Sequence, residues 1–349
     1  MIRGSDSRGR LRSRSPINSG GSILIIALWA ISLLSVFAVI LGTQARYKMT
    51  LVKRLEERAG LRLASEAGIR FATAKLATEA ENGYHSMIDL WSNDPQSFKN
   101  VNCGEAAFDI CYQYVYDISK GPELRYGLVD EERKININKS DRTVLKHLLV
   151  LVLNMDEDMA QGLAASIVDW RDGDEELSVP VGSAESLYYR GLSTPYESKN
   201  ADFDTLEELL LVRDVNRDML ERIRGFVTVY GSGKINVNTA PKQVLMAVGL
   251  NERIADDIMS FRMGKDRMVG TVDDGIFDAT SNIVPSLSQF ASLSPSDISM
   301  LNAVVDQHLA VISTAFSIRS VGRSKDGKTT YVAAAVVNKK GKVLSWQES

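Results

Sequence analysis

The chain has 349 residues, 44% hydrophobic and 24% charged, which excludes the disordered and collagenous classes. Two cysteines and three histidines (His85, His147 and His308) exclude a disulfide framework and leave little material for zinc binding or histidine catalysis. Residues 1–21 hold five Arg and one Asp; the remainder carries 36 basic and 43 acidic residues, a net −7 that disfavours phosphate binding.

Residues 22–42, SILIIALWAISLLSVFAVILG, carry no charge over 21 positions. At about 1.5 Å per residue that run just crosses a hydrocarbon core of roughly 30 Å. A secretory signal has a shorter apolar region, about 7–15 residues, and a buried core helix would not follow five arginines. Those arginines hold the N-terminus in the cytoplasm, so the chain reads as a single-pass anchor with its body outside. From Thr43 to about Glu81 there is no proline and good helix formers predominate. One helix is expected from about Ser22 to Glu81. Val52, Leu55, Ala59, Leu63, Ala67, Phe71 and Ala74 share a face at helical period and are expected to pack on a globular domain. Gly60 and Gly68 favour that close packing over a coiled-coil stalk.

Beyond the helix, AFDICYQYVYDI (107–118) and ELRYGLVDEERKINI (123–137) read as strands joined by a turn at Lys120–Gly121–Pro122. Residues 315–347 hold three further strand-like runs, separated by hairpin turns at Lys325–Asp326–Gly327–Lys328 and Lys339–Lys340–Gly341. Between these groups lies a mostly helical middle with an internal repeat. KININKSDRTVL (134–145) aligns without gaps with KINVNTAPKQVL (234–245), and IVDWRDG (167–173) follows the pattern of IMSFRMG (258–264). Asn138 and Asn238 are candidate caps for the following helices, with Thr239 an equally good cap in the second copy.

The densest polar cluster is DWRDGDEE (169–176), followed by Glu185. Asp169, Asp172, Asp174 and Glu185 supply hard oxygen donors around Gly173, a composition suited to calcium, although the spacing is not that of an EF-hand. A solvated acidic loop is the competing reading. Cys103 and Cys111 could pair in an oxidising compartment if their geometry allows it. No catalytic residue is assigned: GxSxG, P-loop and HExxH strings are absent, and Glu131–Glu132 and Glu207–Glu208 read as solvated acid pairs.

A basic leader, a glycine and an apolar stretch running into an amphipathic helix resemble a type IV prepilin or pseudopilin. The resemblance implies methylation and cleavage by a prepilin peptidase after Gly21, making Ser22 the first mature residue; Gly20 fits the register less well. Most members carry Glu at the fifth mature position, where this chain has Ile26. A carboxylate there would neutralise a neighbour's terminal amine in apolar surroundings, so its loss suits a filament tip. The large minor pseudopilin K of type II secretion systems departs in this way, and the chain resembles it over nearly its whole length. That resemblance implies an α+β fold. A long transmembrane helix packs on a small antiparallel sheet, with a large inserted helical domain of two helix-hairpin-helix or SAM-like repeats. The expected parts are a leader (1–21), the N-terminal helix (22–82), the first part of the β-domain (83–133), the insertion (134–309, with repeats near 134–174 and 234–265) and the C-terminal strands (310–349). It also implies a non-enzymatic tip subunit in the bacterial inner membrane, with its body in the periplasm, serving export of folded proteins. Its partners would be minor pseudopilins I, J and H, the peptidase and the inner-membrane assembly platform, with calcium in the helical domain. The alternative is a membrane-anchored helix-hairpin-helix receptor for DNA. Asn251 replaces the second glycine of the phosphate-binding hairpin at Gly249–Leu250–Asn251, with Glu252, Asp256 and Asp257 nearby, which argues against nucleic acid.

Overall fold

Sixty consecutive residues, Ser19–Thr78, form one helix, α1. The computed structural model describes residues 19–79, 83–180 and 182–348, with side chains from residue 22; the leader up to residue 18 lies outside the described residues. The chain divides into two compact units, 1–58 and 59–349. In the first unit every described side chain of α1 is exposed. It is the one helix among the described residues long and apolar enough to cross a membrane. The Ser35 hydroxyl donates to Ile31 O and that of Thr43 to Ile40 O, so these two hydroxyl groups are satisfied within the helix.

In the second unit, the last turns of α1 are followed by a short helix α2 (Pro95–Phe98) and strands β1 (Val101–Cys103), β2 (Ala106–Ile110), β3 (Tyr112–Tyr114), β4 (Glu123–Arg125), β5 (Val129–Asp130) and β6 (Ile135–Asn136). The helical insertion holds α3 (Arg142–Leu153), α4 (Glu157–Arg171), α5 (Ser186–Arg190) and α6 (Arg217–Ile223). Strands β7 (Val227–Thr228) and β8 (Ile235–Asn236) precede α7 (Lys242–Ala247), α8 (Glu252–Arg262), α9 (Ile283–Phe290) and α10 (Pro295–His308). The chain closes with β9 (Leu309–Ala310), β10 (Ala315–Ser324), β11 (Thr330–Asn338) and β12 (Val343–Glu348). The main sheet is antiparallel in the order β1-β2-β10-β11-β12, with β5 also paired to β10. The two expected C-terminal hairpins are present.

The helix meets this sheet through small residues. Leu61, Ala64, Ser65, Gly68, Ile69, Ala72 and Leu76 are buried on one face, against Phe108, Ile110, Ile318 and Ala335. At Gly68 an added Cβ would collide with Ser320 Oγ and Phe108, so only glycine allows the helix this close. This corrects the expected face. Leu63 and Ala74 are exposed and lie, at 100° per residue, roughly half a turn from the middle of the buried stripe. Ala67 is half-buried, and Phe71, also half-buried, flanks the stripe and does pack against Phe98 and Phe108 as expected. Close approach to a sheet selects Ala and Gly over Leu, so the buried stripe is the less apolar one in sequence. Gly60 has open space around it and contributes nothing to the contact.

Two expected strands are broken. The 107–118 run splits at Cys111, where β3 leaves the main sheet to pair with β4. The 123–137 run splits because Gly127 presses against the carbonyls of Trp91 and Ser92, where no side chain fits, and because Asp130 caps a 3-10 turn at Glu131–Arg133. Cys103 and Cys111 are free thiols. Cys103 lies opposite Ala106, five residues along the chain from Cys111. At about 3.3 Å per residue that is far beyond disulfide reach, so the pairing is corrected.

Glu131 and Glu132 are also not solvated; both are buried with Asp130. Glu131 accepts from Lys134 Nζ (2.6 Å), Ser317 Oγ (2.8 Å) and Thr228 Oγ1 (2.5 Å). Glu132 accepts from Ser232 N (3.1 Å), Ala315 N (3.2 Å) and Thr314 Oγ1. Asp130 accepts from Asn236 Nδ2 (3.1 Å), Thr239 Oγ1 (2.5 Å) and Ser313 Oγ (2.7 Å). Three adjacent acids therefore tie the insertion to the first strand of the C-terminal sheet. Glu207 and Glu208 instead pair with Arg224 and Lys199.

Candidate metal centre

The repeat is a duplication at the level of individual hydrogen bonds. Asn136 Oδ1 accepts from Asn138 N (2.9 Å), and Asn236 Oδ1 from Asn238 N (3.0 Å). Asn138 then clasps the backbone of Phe203 through both Nδ2 (2.9 Å) and Oδ1 (2.8 Å), and Asn238 does the same to Phe277 (2.9 Å each). Strand β6 pairs in parallel with β7, and β8 with β9. These asparagines are not the expected helix caps. Asp141 caps α3, accepting from Val144 N, and α7 starts at Pro241 with no side-chain cap. The asparagines close the loop that follows each helix pair, and an acidic cluster lies in each loop.

In the first copy α4 ends at Arg171, whose guanidinium donates to Ile137 O and Ser140 O and fixes the helix end against the repeat's start. Asp172, Asp174 and Glu185 then converge, each offering one oxygen within 4.8 Å of the others. Asp169 is not in this group. It sits in the last turn of α4, fully buried, and its carboxylate accepts from Ser178 N (3.1 and 3.3 Å). Asp174 Oδ1 accepts from Glu176 N (2.8 Å), while Asp172 Oδ1 and Glu185 Oε1 are buried without a hydrogen-bond partner. Burial, then Asp174 and Asp169, push the Asp172 carboxyl up to about 6; burial, then Asp169 and Asp172, push Glu185 up to about 7. Orphaned carboxylate oxygens that repel one another fit a hard divalent cation, which would supply the missing partner.

The second copy has a cluster that sequence reasoning missed, Asp266, Asp273 and Asp274. The repeat itself held the signal, since this loop follows α8 as the first follows α4. Here the oxygens already have donors. Asp273 Oδ2 accepts from Lys265 N (2.7 Å) and Asp266 N (3.2 Å), and its Oδ1 from Thr271 Oγ1 (2.9 Å). Asp274 accepts from Gly270 N (2.7 Å) and Thr271 Oγ1 (2.9 Å). Asp266 accepts from Met268 N (2.8 Å). The backbone donor at Lys265 holds Asp273 below the ordinary carboxylate range. In the helix hairpin between these features, Asn251 caps α8 and Lys242 is paired with Glu252 and Asp256.

Residues 126–232 match the family model described as type II secretion system (T2SS), protein K. The type II secretion system protein K of Pseudomonas aeruginosa is 30% identical over 156 residues, covering 40% of this chain and 46% of that protein. Its counterpart from Aeromonas hydrophila is 35% identical over 115 residues, covering 32% of this chain and 33% of that protein. The chain thus spans about half the length of the first relative and a third of the second. A chain in the crystal structure of the GspK-GspI-GspJ complex from the enterotoxigenic Escherichia coli type 2 secretion system superposes with a TM-score of 0.59. It covers 88% of this chain and 99% of its own length at 14% identity, a likeness of fold. The resemblance read from the sequence is thereby shown: residues 126–232 match the model of the type II secretion protein K family, and the described chain shares the fold of a chain in the GspK-GspI-GspJ complex.

Proposed function

We propose that the protein is the minor pseudopilin at the tip of a type II secretion pseudopilus, nucleating its assembly and serving export of folded proteins. One observation carries this reading. Within the second unit, α1 by its helical period turns Leu63 and Ala74 away from its own sheet, an apolar surface left for neighbouring pseudopilins. Ile26 adds to it, since a pseudopilin without a carboxylate there offers no pairing to a terminal amine below. The matched relative of known structure stands in a GspK-GspI-GspJ complex, which supports minor pseudopilins of the I and J types as partners here, with one of the H type beyond them. The body would lie in the periplasm with the anchor in the inner membrane, after cleavage and methylation by the peptidase between Gly21 and Ser22 and before extraction by the assembly platform. Calcium would occupy the Asp172–Asp174–Glu185 cluster and stiffen the first repeat. Photo-crosslinking from residue 63 in cells tests the assignment. Crosslinks to other minor pseudopilins are expected; crosslinks only within this chain, or none, would contradict it.

A further inference from the structure

Just beyond the apolar run, α1 carries a charge pattern that the fold leaves unused. Residues 43–55 hold Arg46, Lys48, Lys53 and Arg54 and no acid, in a body whose net charge beyond the leader is −7. All four side chains stand exposed on the helix. Among the described residues the first ion pair along α1 comes only at Arg62 with Glu66. With residues 22–42 filling the hydrocarbon core, the Cα of Arg46 stands about 6 Å and that of Lys48 about 9 Å past its edge, at 1.5 Å per residue. The headgroup layer there is roughly 5–8 Å deep, so both basic groups reach it. Tyr47, 73% exposed, falls between them, at the level where aromatic rings settle in membrane interfaces. Lys53 and Arg54 stand about 16–18 Å out, beyond the headgroups by more than the Debye length of about 8 Å in physiological salt.

The arrangement around the helix axis separates a lipid from a protein partner. Successive residues turn by 100°, so Arg46 and Lys48 project from opposite sides of α1. A protein docked on this stretch would meet one side only, whereas a helix standing in lipid meets headgroups all round. We infer that Arg46 and Lys48 bind the headgroups of anionic phospholipids in the leaflet at the Gly42 end of the span, with Lys53 and Arg54 adding a weaker, screened attraction. The bound headgroups fix the depth of the anchor. The inference rests on the reading of α1 as a membrane anchor. Once cleavage after Gly21 removes the leader's five arginines, this cluster holds the basic residues left beside the span.

The test uses the full chain reconstituted in phosphatidylcholine bilayers. Every sample carries Arg3→Gln, Arg8→Gln, Arg10→Gln, Arg12→Gln and Arg14→Gln, so that only one end of the span is basic. Traces of spin-labelled phosphatidylglycerol or spin-labelled phosphatidylcholine report, by electron paramagnetic resonance, the fraction of each lipid restricted at the protein. The anionic probe is expected to be favoured about fivefold at low salt, and the preference to fall close to one in about 1 M salt. Arg46→Gln with Lys48→Gln should remove most of the preference, and Lys53→Gln with Arg54→Gln a minor part. All four residues are exposed and glutamine is a good helix former, so the helix is kept in both variants. Equal restriction of the two probes in the parent chain, or equal losses in the two double variants, would overturn the inference and leave the cluster to acidic groups of a neighbouring subunit. Restricted lipid of neither kind would overturn the anchor reading with it.

Discussion

The two acidic loops of the duplicated unit occupy the same place in their copies and have opposite chemistry. In the second, Asp266, Asp273 and Asp274 each accept from backbone N–H groups or Thr271, so the loop is closed by the protein's own donors. In the first, Asp172 and Glu185 each bury an oxygen that nothing in the chain reaches. A cluster of acids is therefore not in itself a metal site; the number of unmet oxygens separates a loop that needs a cation from one that does not.

Chelation should break this comparison most strongly. With calcium at about a hundredfold over its dissociation constant, removing it costs about 2.7 kcal/mol, a fall of roughly 5–10 °C in melting temperature. Asp172→Ala should erase the calcium-dependent difference. Asp273→Ala should lower the melting temperature by the same amount with and without calcium. Equal calcium dependence in wild type and Asp172→Ala, followed by differential scanning fluorimetry, would place the ion elsewhere.

The asparagine clasps sharpen the comparison. Asn238 is 3% exposed and Asn138 is half-buried, so the same bonds are made in different surroundings. Asn238→Ala strands two buried groups of Phe277 and should cost about 2–3 kcal/mol; Asn138→Ala should cost about 1 kcal/mol. Urea denaturation measures both, and the reverse order would mean that the copies are not energetically parallel.

The repeat was legible because its turn, strand and helix residues recur in register over twelve positions, from Lys134 to Leu145 and from Lys234 to Leu245. What the asparagines do was not legible. Their partners Phe203 and Phe277 lie 65 and 39 residues away, beyond any local pattern. The acidic site was legible in composition and not in geometry: Asp169 faces Ser178 N from inside the helix end, leaving three residues to converge. The helix itself was plain from its length and lack of proline. Its buried face was misassigned because close packing on a sheet is carried by Ala64, Gly68 and Ala72, which a hydrophobic pattern undervalues.

Acidity gives the smallest effect. Asp172 and Glu185 titrate at about 6 and about 7 when folded, above their unfolded values near 3.8 and 4.5. The folded state then binds more protons, so without calcium their contribution declines as pH rises from about 4 through 7 and levels off above. Screened at a partly open site, the decline should be on the order of 1 kcal/mol. It should vanish in saturating calcium, where the cation replaces the protons, and in the double variant Asp172→Asn, Glu185→Gln. A decline of the same size in that variant would assign it to other buried acids such as Asp130.

The central claim is that this chain ends a filament. Its insertion, α3 through α10, spans residues 142–308, a bulk that a repeating protomer would have to accommodate at every level. Immunogold labelling of isolated pseudopili with antibody to the insertion tests this directly, in wild type and in Ile26→Glu. The account predicts label at one end only in both, since restoring the carboxylate leaves the bulk in place; label along the whole length in wild type would contradict it.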